Sequence, residues 1–363
     1  MSANVQFTPQ DWQRVREAWS AWWAGELARP IVMLERSTVP AEELPDAPGF
    51  VPQLGLDMPA DEVVDRYEAH LAARRYYGEA WPKWWVNFGP GVMAGFLGAR
   101  VNVAPSTVWF EPAGPVGEIA ELDLRYDADN VWWRRVQDLT RAAVRRWGDS
   151  VSVGITDLGG NLDILSSFRT PGQMMLDLCD APEHVERLIR RITELWLRYY
   201  AEQHAVIGPA GAGTTPWAAI WSPHRCYMLQ CDASYMFSPA MFERFVLPDL
   251  EACCNALEHA FYHLDGKGQL AHLDMLLSIG NLRGVQWIPG AGQPEPQDWL
   301  DVLGRIRKAG KLCQVYVSPE GAMKIVRELG GMGFALAVGP APKDDREAED
   351  FLSALAAADR GRA

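Results

Sequence analysis

The chain has 363 residues, of which 48% are hydrophobic and 22% are charged, and this composition is typical of a soluble globular protein. Its formal net charge of −13 argues against nucleic acid as a partner, because phosphates require a basic face, and also against an anionic membrane surface. No N-terminal apolar run resembles a signal peptide, and no segment reaches the roughly 18 apolar residues that span a bilayer.

The first 80 residues are predicted to form a helical segment ahead of the main domain. The pattern predicts a helix over residues 8–28, with Thr8 as its N-cap and Pro9 at the first helical position. Its tryptophans recur at helical spacing on one face, which favours packing over ligand binding. A short strand is predicted at 31–34, after the helix ends.

Two loops in the first half of the chain carry candidate ligand contacts. Trp85 and Asn87 lie in an aromatic run, 84–91, at the end of a predicted strand, where they could form the wall of a pocket. Asn87 could equally satisfy only the backbone of a turn, and the sequence leaves both interpretations open. Asp157 follows a predicted strand, 151–155, beside two glycines that allow a close approach to a ligand. The alternative is a carboxylate that accepts hydrogen bonds from its own loop.

The centre of the chain is the stretch 261–292. Residues 261–265 are predicted to be a short buried strand, and successive strand side chains point to opposite faces, so His263 and Asp265 project together. A helix and a second strand, 283–288, follow. This is one βαβ unit of a parallel sheet, and such strand ends are where parallel α/β folds place their chemistry.

Strand and helix alternate from Val151 onward, as in successive βα units. We therefore predict an α/β fold, namely a single (β/α)8 barrel of the TIM type with an N-terminal helical extension. Residues 1–363 are expected to form one domain, with the helical segment at 1–80, the barrel core at 81–345 and a C-terminal helix at 346–363. Barrel geometry would bring the strand ends into one pocket.

The predicted strand ends supply three candidate catalytic residues, Asp232, His263 and Asp265, and the last two are also candidate metal ligands. A buried histidine–carboxylate hydrogen bond that fixes a loop is the alternative. The candidate substrate-binding residues are polar or aromatic groups near strand ends: Trp85, Asn87, Asp157, Trp217, Trp221, Gln286, Trp287 and Tyr316. For the Gln286–Trp287 pair the sequence leaves open whether either side chain contacts a ligand.

Three stretches carry a family resemblance. Residues 229–248, LQCDASYMFSPAMFERFVLP, look like an acidic strand end followed by an "SPxxFexFvlP" helix, and residues 261–266 look like an "H-x-C-G" strand. Residues 157–160 through 180–183 are similar to a central region with a "D-x-Pro-E" helix start. With these motifs the chain resembles the uroporphyrinogen decarboxylase superfamily, which includes cobalamin-dependent methyltransferases, over most of residues 85–340. That superfamily implies the same barrel fold.

The departures from the family pattern change the expected chemistry. No arginine-rich N-terminal substrate motif is visible, so porphyrinogen decarboxylation is not expected. The methyltransferase branch implies a zinc ion held by the His and Cys of H-x-C and by a later Cys. Here His263 matches, Asp265 occupies the Cys position, and the later strand end, 338–340, has no cysteine. Histidine and carboxylate donors describe a harder divalent-metal site, suited to water, hydroxyl or carboxylate ligands.

The function that the resemblance implies is methyl transfer from, or demethylation of, a small methylated compound. No corrinoid-binding D-x-H-x-x-G segment is visible, so the cobalamin would be carried by a separate corrinoid protein. One alternative is a hydrolase or lyase that uses the strand-end carboxylates as acid and base, with or without a metal. The other is a non-catalytic small-molecule binder.

The expected partners are a small-molecule substrate, the corrinoid protein and a second copy of the chain in a homodimer. The six cysteines have neither disulfide-framework nor zinc-ribbon spacing, so we expect reduced thiols in a cytoplasmic protein.

Overall fold

The computed structural model describes residues 5–208 and 212–360 of the chain. Within these ranges the strands, in chain order, are β1 (Ile31–Ser37), β2 (Arg74–Gly78), β3 (Lys83–Trp85), β4 (Arg100–Val103), β5 (Val108–Glu111), β6 (Ser152–Gly154), β7 (Cys226–Leu229), β8 (His259–Asp265), β9 (Leu282–Ile288), β10 (Leu312–Val317) and β11 (Phe334–Val338).

The helices are α1 (Pro9–Ala24), α2 (Ala60–Ala72), α3 (Met93–Phe96), α4 (Val131–Trp147), α5 (Asn161–Arg169), α6 (Pro171–Asp180), α7 (Pro182–Ile207), α8 (Pro239–Phe245), α9 (Leu247–Ala256), α10 (Leu273–Ser278), α11 (Leu300–Lys308), α12 (Pro319–Leu329) and α13 (Asp345–Arg360). None of the described helices has the length and apolarity that crossing a bilayer requires. Residues 1–4 of the expected helical segment and 361–363 of the expected C-terminal helix lie outside the described residues.

The main sheet has seven strands in the order β2-β1-β11-β10-β9-β8-β7. Only the β1–β2 pair is antiparallel, and every other neighbouring pair in this sheet is parallel. The remaining described strands form two smaller sheets, a parallel pair of β3 and β6 and an antiparallel pair of β4 and β5. The fold is therefore α/β with a mixed central sheet.

The prediction of a closed (β/α)8 barrel is wrong. Within the described residues the main sheet ends at β2 on one side and at β7 on the other, while β3 and β6 form a sheet of their own. Beyond β6 the backbone of Ile155 donates to Thr215 O at 3.0 Å, in a segment that forms no strand. The alternation of strands and helices predicts that neighbouring strands are parallel. A closed barrel also requires backbone hydrogen bonds between every pair of neighbouring strands, including the first and the last, and the periodicity of the sequence does not show this.

The N-terminal part is more than the helical extension that was expected. The predicted start of helix α1 is confirmed, with Thr8 as N-cap and a reciprocal capping box to Asp11, but the helix ends at Ala24 rather than at residue 28. However, β1 and β2 also come from this part, and β1 lies inside the main sheet between β2 and β11. The short apolar strand that the sequence predicts at 31–34 therefore joins the central core, because all four of these residues are buried.

Strand register places a row of polar side chains across one face of the main sheet. His263 is in register with Gln286 of β9, and Gln286 is in register with Gln314 of β10. One step toward the amino ends, Phe261 fills the space over Gly284, where an added Cβ would lie 2.1 Å from the Phe261 ring. The tryptophans of α1 pack in the same apolar cluster as Phe261. The polar row thus lies above an apolar layer, toward the carboxyl ends of the strands.

Candidate functional site

Three of the predicted site residues converge at the carboxyl edge of the main sheet. Asp232 follows β7, and His263 and Asp265 lie on one face of β8 at its end. One ligand atom of each lies within 4.8 Å of those of the other two, and this is the group among the described residues that could hold a metal ion. His263 Nε2 is 3.9 Å from Asp265 Oδ2. The convergence of these residues, which the strand-end argument predicts, does not need a closed barrel, since β7 and β8 are parallel neighbours.

The orientation of His263 is set by the polar row. The side-chain N–H of Gln286 donates to Gln314 Oε1, so Gln286 Oε1 faces His263 Nδ1 and accepts from it. Gln286 and Gln314 have no exposed surface, which excludes water as a competing partner. With the proton on Nδ1, the Nε2 lone pair points to the carboxylates. Trp217 packs edge-on against the ring, with 5.1 Å between centroids.

Burial lowers the pKa of His263, while Gln286 and the nearby carboxylates of Asp265 and Asp163 act in the opposite direction. The net effect is a pKa below the usual range for histidine, so the ring is neutral at neutral pH. A neutral imidazole is the form that ligates metals and accepts protons.

A carboxylate that the sequence reasoning missed, Asp163, supports the site from below. Its two carboxylate oxygens accept hydrogen bonds from the backbone N–H groups of Asp232, at 2.9 Å, and Ala233, at 2.8 Å. Asp163 lies in the first turn of α5, where it resembles any acidic residue near a helix start. The available signal was its position six residues after Asp157, within the same glycine-rich strand-end segment.

Asp157, Asp163 and Asp232 form an acidic cluster with raised pKa values. Burial, followed by the charge of Asp232, raises the pKa of Asp157 to about 7 and that of Asp163 to about 7. Asp232 is an exposed residue, but partial burial of its carboxylate, followed by the charge of Asp265, raises its pKa to about 6. Carboxyl groups with such pKa values can donate or accept protons near neutral pH.

Two glycines allow the loops of this cluster to approach one another. A Cβ on Gly160 would lie 2.2 Å from the Gln230 carbonyl oxygen, and a Cβ on Gly159, whose φ is +86°, would lie 2.5 Å from the Gly91 Cα. Only glycine therefore fits at either position. The close approach brings the start of α5, and with it Asp163, under the loop that carries Asp232.

A cavity of about 690 Å³ opens at the carboxyl ends of β1, β10 and β11. Its wall includes Tyr316, which is 44% exposed and whose hydroxyl lies beside the Gln286 side chain of the polar row. The described lining residues are Met33, Glu35, Trp81, Lys83, Ala219, Glu295, Tyr316, Val317, Ser318, Ala337, Val338 and Gly339. A volume of this size accommodates a small molecule.

The predicted substrate-binding residues divide into three groups. Asp157 lies in the acidic cluster, and Trp217 packs against the ring of His263. Gln286 belongs to the polar row, and Tyr316 lies on the wall of the 690 Å³ cavity. Trp85 and Asn87 line a different cavity, of about 240 Å³. The Asn87 side chain donates to Gly49 O at 2.6 Å and accepts from Gly89 N, which is the backbone-satisfying alternative considered from the sequence.

Trp221 and Trp287, by contrast, are both buried core residues. Trp221 is 1% exposed and donates its indole N–H to Ala212 O at 2.8 Å. Trp287 has no exposed surface and packs against Trp299, on the face of β9 opposite to Gln286. Because large aromatic side chains contribute much buried surface to a core, packing explains the positions of both tryptophans near strand ends.

The donor set fits a divalent cation that prefers oxygen and nitrogen. It consists of one imidazole and two carboxylates, which suits ions such as Mn²⁺, Mg²⁺ or Zn²⁺. Cys231 directly precedes Asp232, but burial raises the pKa of its thiol far above the usual range, so it stays protonated. The thiolate-rich zinc site of the methyltransferase branch is therefore not reproduced by these residues.

The fold and the site together define an α/β protein with a histidine–carboxylate cluster at the carboxyl edge of a mixed sheet. A scan against protein-family models finds no match, and a search of curated proteins finds none either. The resemblance to the uroporphyrinogen decarboxylase superfamily consequently rests on the motifs in residues 157–183, 229–248 and 261–266 alone, and a shared fold would not by itself define the chemistry of the site.

Proposed function

We propose that the chain is a metal-dependent enzyme that acts on a small molecule, with a divalent cation held by Asp232, His263 and Asp265. The observation that carries this proposal is the convergence of the three side chains, within 4.8 Å, from two adjacent strand ends. A divalent cation bound there would polarise a substrate oxygen or lower the pKa of a coordinated water.

The protein's own groups have distinct roles in this proposal. Gln286 holds the imidazole of His263 with its Nε2 lone pair toward the carboxylates. Asp163 holds the loop of Asp232 through two backbone hydrogen bonds. Asp157 and Asp163, with pKa values of about 7, are the candidate proton donors and acceptors. Acid–base chemistry of the hydrolase or lyase type is the reaction class that this arrangement supports best.

A second candidate is methyl transfer from a small methylated compound to a corrinoid on a separate protein. The specific observation in its favour is that His263 and Asp265 occupy the two positions of the family's H-x-C motif at the end of β8. The carboxylate at the second position changes the metal preference without removing the site. For either function we propose a cytoplasmic location, which is supported by the fact that all six cysteines are free thiols.

The experiment compares metal content in the purified protein, in His263→Ala and in His184→Ala, a matched histidine substitution on α7. We expect close to one divalent ion per chain in the first and third proteins and loss of the ion in His263→Ala, because removal of one of few protein ligands greatly lowers affinity. Equal metal content in all three, or no metal after loading with Mn²⁺ or Zn²⁺, would refute the metal-dependent proposal and favour a metal-free reaction or a binding protein.

The two reaction classes are separated by their requirement for an acceptor. The metal-loaded protein would be incubated with panels of esters, amides and methylated amines or ethers, with and without reduced cobalamin. Turnover that needs no cobalamin supports hydrolysis or elimination. Formation of methylcobalamin, followed by its absorbance, would instead establish methyl transfer.

A further inference from the structure

The 690 Å³ cavity contains a lysine that the site described above does not use. Lys83, at the start of β3, carries the positive charge among the described lining residues. Its ammonium donates to Ala218 O at 3.2 Å and lies 5.4 Å from the centre of the Trp81 ring. An ammonium has three donors, so two remain available to a ligand. Burial lowers the pKa of Lys83 to about 8, which leaves most of the population charged at neutral pH.

The ammonium of Lys83 has no carboxylate in direct contact among the described residues. Glu35 is the acidic lining residue whose charge acts on Lys83, but its carboxylate is bound by Arg74 at 2.6 Å. The other acidic lining residue, Glu295, is exposed. Lys83 is half-buried, and a charge that is partly withdrawn from water without a paired counter-charge is costly, so an anion in the cavity would supply the missing partner.

The surroundings of Lys83 connect to the histidine–carboxylate cluster through one short segment. Trp217 packs against the His263 ring, the carbonyl oxygen of Ala218 accepts the bond from Lys83, and Ala219 lines the cavity beside Tyr316. Three consecutive residues therefore contact the cluster, the ammonium and the cavity in turn. A small molecule in the cavity that reaches Tyr316 is adjacent to the polar row that holds His263.

We propose that Lys83 binds an anionic oxygen group, a carboxylate or a phosphate, of the small molecule that occupies this cavity. This inference depends on the proposed function in one respect, because it has the rest of that molecule extend toward Asp232, His263 and Asp265. The substrate class is thus an organic anion whose charge is held away from the acidic cluster. This arrangement also avoids repulsion, because the cluster itself contains several carboxylates.

The test measures anion binding by calorimetry in the full chain after dialysis against EDTA, so that no metal can hold the anion. The probes are succinate, inorganic phosphate and the uncharged succinamide, and the variants are Lys83→Met and Lys324→Met. Lys324 is a lysine on α12 that pairs with Asp298 at 2.8 Å, and it serves as the control. We expect succinate or phosphate to bind more tightly than succinamide, and Lys83→Met to weaken that binding by about 10- to 100-fold.

Equal affinity of the wild type and Lys83→Met for both anions, or no preference for the anions over succinamide, would overturn the proposal. Which anion binds more tightly identifies the group as carboxylate or phosphate. A readout in the unmutated protein guards against misfolding of the variant: the bound anion should slow acetylation of Lys83 by acetic anhydride and leave that of Lys324 unchanged. Anion binding is also measured in His263→Ala, the variant that tests metal binding. Anions should still bind to this variant, so that a failure of the metal-site proposal can be distinguished from a failure of the anion-site proposal.

Discussion

Replacing Gln286 with leucine tests how the polar row controls His263. In the wild type, Gln286 Oε1 accepts the proton of His263 Nδ1, and Gln286 has no exposed surface. Without this acceptor the neutral ring can keep its proton on Nε2, and metal binding then requires a buried Nδ1–H without a partner. Such a group costs about 1–3 kcal/mol, which corresponds to a loss of metal affinity of about 5- to 150-fold.

The affinity would be measured by calorimetric titration of Mn²⁺ and Zn²⁺ into the metal-free proteins at neutral pH. The matched control is Gln203→Leu, because Gln203 is also fully buried but bonds to Thr156 N and to the Thr140 hydroxyl, outside the polar row. This control should lower the free energy of unfolding but leave the metal affinity close to that of the wild type. Wild-type metal affinity in Gln286→Leu, or an equal loss in both variants, would refute the reasoning that Gln286 sets the orientation of the imidazole.

Three further predictions concern the buried carboxylates and the glycines. Asp249→Asn keeps a carbonyl oxygen for the three donors that converge on Oδ1 of Asp249. Because burial raises the pKa of Asp249 from 3.8 to about 7, the wild type loses stability as the pH rises from about 4 through 7. In urea unfolding the variant should therefore be more stable than the wild type above pH 7, by up to about 4 kcal/mol, and equally stable below pH 4. A larger difference at low pH than at high pH would contradict this sign. Gly160→Ala should lower the free energy of unfolding by about 3 kcal/mol, because its Cβ would meet the Gln230 carbonyl at 2.2 Å, whereas Gly172→Ala has nothing within 4 Å and should be neutral. Asp163→Asn should weaken metal binding by about 10-fold, because an amide cannot accept both backbone bonds of the Asp232 loop, and unchanged affinity would show that the loop holds its position unaided.

The part of the site that the sequence predicts follows from strand periodicity. Side chains two residues apart project from the same face, which places His263 beside Asp265, and adjacent parallel strands end at one edge, which places Asp232 with them. The helix start at Thr8 was also predictable, since a capping box is a local signal. The His263–Asp265 pair and the helix start each need only a few consecutive residues, whereas the position of Asp232 also requires β7 and β8 to be neighbours in the sheet.

The remaining features depend on contacts that are distant in sequence. The pairing of β3 with β6, and the absence of a continuous ladder between β6 and β7 in the described residues, depend on which strand edges meet, and the residue pattern of each strand does not report this. Asp163 became a site residue through hydrogen bonds to a loop on another strand end. The sequence around Trp287 does not distinguish the core face of β9, where its side chain lies, from the face that carries Gln286.

Anomalous diffraction from crystals of the protein loaded with Mn²⁺ or Zn²⁺, recorded on both sides of the metal's absorption edge, would locate a metal ion bound by Asp232, His263 and Asp265. We expect one anomalous peak among Asp232, His263 and Asp265, at about 2.0–2.6 Å from His263 Nε2 and from one oxygen of each carboxylate. The same peak should be missing in crystals of His263→Ala. A peak at another position, or no peak among these residues in the loaded wild type, would contradict the claim that they form a metal site.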